Sequence, residues 1–244
     1  MQATSTRDPI HATAAAADTA AVRYDIFAAI HKALRLHMTD TLSRLGSADP
    51  FDDAQVDAAV AQVRDLLDMC EQHLEKENAY IHPALEQARA GSAARTTADH
   101  EEHREAIADL RDLAGLVADT RGASRSAALT RLYRATARFV GHNFEHMAYE
   151  EAEHNAVLWA AYDDAQILEI EHRIVSGIPP ATMMGLLRWF VPALNAPERA
   201  AMLGGMRSGM PAPAFAGVLE LAGQCLAPDE HAKLRAALGL SAAR

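Results

Sequence analysis

Only two cysteines, Cys70 and Cys225, occur in a chain of 244 residues, far apart and each set in an apolar helical pattern. That usage excludes a disulfide-stapled fold and suits a reducing compartment with two buried thiols. Aromatic residues make up 5% of the chain although 50% of it is hydrophobic. A composition dominated by alanine favours closely packed helices over a β-sandwich. Basic residues are outnumbered, 23 Lys and Arg against 33 Asp and Glu, for a formal charge of −10. No basic block is available to neutralise a run of phosphates, which argues against nucleic acid as a partner. The apolar stretches are short and broken by Arg188, Pro192 or Gly, so no membrane partner is expected either. Residues 1–17 lack the apolar core of a secretory signal and read as a disordered lead, in a cytoplasmic protein.

Four long amphipathic helices follow. The first runs from about Asp18 to Leu45, with Ile26, Ile30, Leu34, Met38 and Leu42 as a stripe at steps of four. Asp52 caps a second, through Val56, Val60, Val63, Leu67 and Cys70 to about Ala90, with Pro83 bending its end. The third spans about Ala94 to Asp119 and the fourth about Ser126 to Ala161. Short turns between them predict an all-α, up-down-up-down four-helix bundle over residues 18–162. Residues 163–244 are punctuated by glycines and prolines and predict four or five short helices packed on the bundle. Met202, Met206 and Met210, at steps of four, suit an apolar contact face there.

Two copies of one pattern stand 73 residues apart, His73-Leu-Glu-Lys-Glu77 and His146-Met-Ala-Tyr-Glu150. A step of four on a helix advances about 400°, so imidazole and carboxylate leave one face a turn apart and can grip one cation. A single pattern of this kind is ordinarily a solvated pair worth about 0.2–0.5 kcal/mol, and His82/Glu86 reads as such a pair. The two copies differ in having company: His31 on the first helix and His100 on the third reach the same level of the bundle. Burying carboxylates in an Ala/Leu core costs several kcal/mol unless charge compensates them. Two cations held by His31, His73, Glu77, His100, His146 and Glu150 would do so, and mixed imidazole and carboxylate ligation suits iron or manganese. His103 shares the face of His100 and can replace or assist it. His142, a turn before His146, is a candidate for hydrogen-bonding the ligands from outside, as is His103. His11, His154, His172 and His231 receive no role. Glu151-x-x-His154 and Glu169-x-x-His172 match a ferritin-like string, but no complementary inward glutamates stand on the first and third helices.

Ile30-His31-Lys32, His73-x₃-Glu77, Asp99-His100 and His146-x₃-Glu150, in that order, resemble the hemerythrin-like (HHE cation-binding) domain in its four-histidine, two-glutamate variant. The strings Glu77-Asn78-Ala79-Tyr80-Ile81 and His146-Met147-Ala148-Tyr149-Glu150-Glu151 resemble those of bacterial hemerythrin-like proteins and of iron-sensing domains in certain ubiquitin ligases. The likeness covers about residues 20–175. The stretch from Ile178 to Leu238 more loosely resembles the C-terminal extension of plant iron-regulatory hemerythrin domains.

The resemblance implies a non-heme pair of iron ions with an oxo or hydroxo bridge, manganese or zinc being the alternatives. His31, His73, His100 and His146 become terminal ligands, and Glu77 and Glu150 bridges. Three functions fit: binding or sensing of O₂, NO, peroxide or iron at an open position, a diiron enzyme that consumes peroxide or oxidises a small molecule, and a metal-free helical interaction module.

Overall fold

The computed structural model describes residues 23–240; the expected disordered lead, residues 1–17, lies outside them. Every regular element among the described residues is helical. The bundle consists of α1 (Ala28–Ser47), α2 (Asp53–Lys76), α3 (His82–Ala88), α4 (Ala94–Asp119), α5 (Gly122–Tyr149) and α6 (Asn155–Ala161). It is followed by α7 (Asp164–Ser176), α8 (Pro180–Ala193), α9 (Ala196–Gly209), α10 (Ala212–Cys225) and α11 (Pro228–Ala237).

Sequence neighbours are neighbours in space: α1 packs on α2, α2 on α4, α4 on α5, and α5 closes the ring against α1. This is the up-down-up-down bundle that short connections dictate. Asp52 does start α2, accepting from the Gln55 N–H at 3.1 Å. The first helix begins ten residues later than its apolar stripe suggests. Asp25 accepts from the Phe27 and Ala28 N–H groups at 2.9 and 3.1 Å and fixes the start of α1 there. Arg23, just before it, is pulled away to Asp164 and to the carbonyls of Trp159 and Tyr162.

The second and fourth long helices are each interrupted rather than bent by proline alone. At Glu77–Ile81 and Glu150–His154 the backbone widens into one π-helical turn. The N–H of His82 reaches the carbonyl of Glu77, and that of Asn155 the carbonyl of Glu150, five residues back in both cases. Pro83 follows the first turn, yet the second has no proline, so proline is not the common cause. The common feature is the glutamate of the His-x₃-Glu pair at the first position. Single π turns of this kind concentrate at functional sites.

The second and fourth long helices run through two apolar cores, and the first and third reach the second core only with Ile26, Phe27 and Ala93, just before α1 and α4. Leu34, Leu67, Leu74, Leu110, Leu132 and Met147 belong to one, and Phe27, Ile81, Leu85, Ala93 and Leu158 to the other. The histidines and glutamates of the two patterns form the polar layer between them. A third core, with Leu187, Val191, Leu203, Phe215 and Leu221, is made by α8 to α11, and Met202, Met206 and Met210 pack against it. Helix α8 faces both ways, since its Leu186, Trp189 and Phe190 pack on the bundle core. Arg199, 5% exposed, donates to the Val191 and Leu194 carbonyls at 2.7 Å and so satisfies the end of α8. Cys70 is buried, whereas Cys225 is only half-buried, contrary to the expectation of two buried thiols. Among the described residues no single helix is long and apolar enough to cross a membrane.

Trp189 lies flat on the fully buried ring of His37, centroids 3.7 Å apart. Burial pulls His37 from 6.5 down to about 4, against the opposing charge of Asp40. The unfolded chain therefore binds a proton that the folded one refuses, so this contribution is intact above pH 6.5 and is lost as pH falls towards 4. The whole shift corresponds to about 3 kcal/mol at most. Denaturant unfolding between pH 7 and 4 should show a shallower acid decline in His37→Phe than in the parent; equal declines would contradict the assignment.

Candidate metal centre

The two π turns bring Glu77 and Glu150 to the axis of the bundle, where both are buried. Glu77 Oε1 lies 3.3 Å from His73 Nε2 and 3.9 Å from His31 Nε2, while its Oε2 lies 3.4 Å from His100 Nε2. Glu150 is arranged the same way: Oε2 is 3.4 Å from His31 Nε2 and Oε1 3.3 Å from His146 Nε2. Each carboxylate thus offers one oxygen to each of two histidine pairs, His31 with His73 and His100 with His146. The donor atoms form two groups, His31, His73, Glu77, Glu150 and Glu77, His100, His146, Glu150, each lying within 4.8 Å of one another. All six residues singled out from the sequence meet here.

The hydrogen bonds around this cluster leave its inner atoms empty-handed. Both oxygens of Glu77 and of Glu150, and Nε2 of His31 and His73, are buried without a hydrogen-bond partner. A buried carboxylate left so costs several kcal/mol, and buried polar atoms are nearly always satisfied. The outer ring nitrogens are used instead. His31 Nδ1 faces Glu151 Oε1 at 3.0 Å, His100 Nδ1 faces Asn78 Oδ1 at 2.9 Å, and His146 Nδ1 faces Asp99 Oδ2 at 3.2 Å. Glu151 is itself held by both terminal nitrogens of Arg35, at 2.6 and 3.0 Å. With Nδ1–H donating outward, each Nε2 carries a lone pair inward, and His100 and His146 place these only 3.1 Å apart. Three such lone pairs and four carboxylate oxygens converging on one layer fit a pair of cations.

The acid–base equilibria express the same frustration. Burial, reinforced by the Glu150 charge, pushes the Glu77 carboxyl well above the usual range. Burial also acts to raise Glu150, but the His146 and His31 imidazoles beside it overcome this and hold that carboxyl well below. Burial lowers His73 to about 3 and His100 to about 2, with neighbouring imidazoles adding to the effect. For His31 and His146 burial is outweighed by Glu150, joined by Glu151 at His31 and by Asp99 at His146, and their net shift is upward.

Two further histidines adjoin the cluster. His82 is not a solvated partner of Glu86. It is buried, stacks on His100 with centroids 4.9 Å apart, and sits 3.3 Å from Thr96 Oγ1. Glu86 instead accepts from the Gly91 and Ala93 N–H groups. His154, given no role from the sequence, is 1% exposed, with Nδ1 3.9 Å from Glu150 Oε1 and Nε2 3.4 Å from the same threonine oxygen. Its position four residues beyond Glu150 carried the signal; that of His82 depends on the π turn and carried none. His103 is buried, edge-on to the His146 ring at 5.0 Å, and its Nδ1 has no partner. His142 faces solvent, because Phe139 and Asn143 take the inward positions on either side of it; it cannot support the cluster directly.

A four-helix bundle with a buried layer of histidines sharing two carboxylates defines a cation-binding helical protein. The chain matches the hemerythrin HHE cation binding domain over residues 22–158, more than half its length, and it belongs to that family. No curated protein and no solved structure matches it.

Proposed function

We propose that the chain holds two iron ions and binds or senses O₂, NO or peroxide at them. His31 and His73 hold one ion, His100 and His146 the other, and Glu77 and Glu150 bridge them. The observation that carries this reading is the division of each buried carboxylate between two histidine pairs. Four imidazoles and two carboxylates are a donor set suited to iron, with manganese and zinc next. Iron supplies an open coordination position and accessible redox states; the chain supplies fixed ring orientations through Glu151, Asn78 and Asp99, and a layer shut off by two apolar cores.

Turnover of peroxide or oxidation of a small molecule is the second reading, and His103 favours it. Burial lowers this imidazole to about 4, so it is neutral, and with an unpartnered Nδ1 it can relay a proton without retaining it. Iron per chain and optical spectra, recorded before and after O₂, NO and H₂O₂ are added, test both readings. About two irons and a spectrum that responds reversibly support binding or sensing. Sustained peroxide loss that is reduced in His103→Phe without loss of iron supports turnover, and a chain purified from iron-replete cells without metal overturns both.

A further inference from the structure

The cluster is closed on most sides, but a cavity of about 130 Å³ opens onto it from one. His73 and Glu77 form its floor, and the other four clustered residues do not line it. The inner wall is bundle, with Ile30 and Met69; the outer wall is Ile174, Leu186 and Phe190, from α7 and α8. Those two helices meet at a 120° bend. Gly177, in the elbow, stands over α2, and a Cβ there would lie 3.5 Å from Lys76 Nζ. The C-terminal helices therefore build half of a cavity whose other half is the candidate metal centre.

Two features mark it as a binding site rather than a packing gap. His73 differs from the other three histidines of the cluster: among the described residues it has no hydrogen bond to either ring nitrogen, and its side chain is 8% exposed. An unpartnered, nine-tenths buried imidazole thus forms part of the floor. Apart from Glu77 in the floor, the charged lining residues are engaged elsewhere, Lys76 over the Tyr80 ring at 5.9 Å and Glu171 by the Tyr24 hydroxyl. What faces an occupant is mostly apolar wall, with Gln72, His73 and Glu77 as its polar groups. A dry cavity of about 150 Å³ lined by Leu, Ile and Phe takes benzene.

We propose that this cavity binds an uncharged molecule with an apolar body, about the size of benzene, against His73, so that α7 and α8 select what reaches the centre. Its occupancy stands on the cavity alone; its bearing on the metals rests on the function proposed above. Benzene titrated into the metal-loaded full chain, followed by calorimetry and by the optical spectrum, is the test. Binding should weaken by about tenfold or more in Leu186→Trp, which fills the outer wall, and in Ile174→Phe, which fills it with a smaller change, while metal per chain stays at the parent value. Benzene binding that both variants leave unchanged, or no binding to the parent protein, overturns the proposal. Benzene bound by a chain that holds no metal supports the cavity and overturns the diiron reading, so the two fail separately.

Discussion

Glu77→Gln is expected to empty the metal centre and yet to stabilise the metal-free protein. The glutamine keeps the shape of the side chain but cannot give an anionic oxygen to each histidine pair, so metal per chain should fall from about two to near zero. In the metal-free chain the sign reverses. Glu77 is held protonated by burial and by Glu150, and an acid whose carboxyl is raised on folding loses stability as pH climbs above its unfolded value of 4.5. Glutamine has no proton to keep. The variant should match the metal-free parent near pH 4.5 and gain on it by about 1.4 kcal/mol per pH unit above that, until Glu77 itself ionises in the fold. Urea unfolding of both proteins after chelation, at pH 5, 6 and 7, gives the comparison. A variant less stable than the metal-free parent at pH 7 would show that Glu77 is not the strained group.

Chelation of the wild-type chain should produce the largest loss of stability. Glu77 and Glu150 share one buried layer, and only bound cations allow both to be ionised there. An ion present at a thousand times its dissociation constant contributes about 4 kcal/mol, and for a chain of this size each kcal/mol moves the midpoint by about 2–4 °C. A fall in Tm of about 10 °C or more is expected on metal removal, reversed by adding iron back. Calorimetry with and without chelator measures it, and an unchanged midpoint would sink the idea that the layer is built around cations.

The sequence carried the bundle because its signals are local. Val56, Val60, Val63 and Leu67 announce the buried face of α2 by spacing alone, and they are buried. The limits of α4, Ala94 and Asp119, fall where the breaks at Gly91-Ser92 and Arg121-Gly122-Ala123-Ser124 put them. The convergence of His31, His73, Glu77, His100, His146 and Glu150 was legible for the same reason, since four inward faces at one level can meet only at the axis. What surrounds them was not. The groups that fix the ring nitrogens, Glu151, Asn78 and Asp99, sit on other helices, and their reach depends on how far one helix is slid along the next. The start of α1 was missed because the expected helix was carried back to Asp18, past Asp25, whose carboxylate caps the helix where it begins. The outward turn of His142 was missed because a spacing of four from His146 is compatible with either edge of the helix face.

The π turns leave the two long helices with one residue more than their rise along the axis requires. A one-residue deletion inside Glu77–Ile81 or Glu150–His154 would cost little in length and would let the backbone return to ordinary helical pairing. Kept in place but wound into ordinary helical pairing, the surplus residue would swing everything beyond by about 100°, carrying His82 or His154 off the centre and Leu85 or Leu158 out of the second core. The surplus residue is thus a phase adjuster: it lets each helix serve the polar layer in one angular setting and the apolar core beyond it in another.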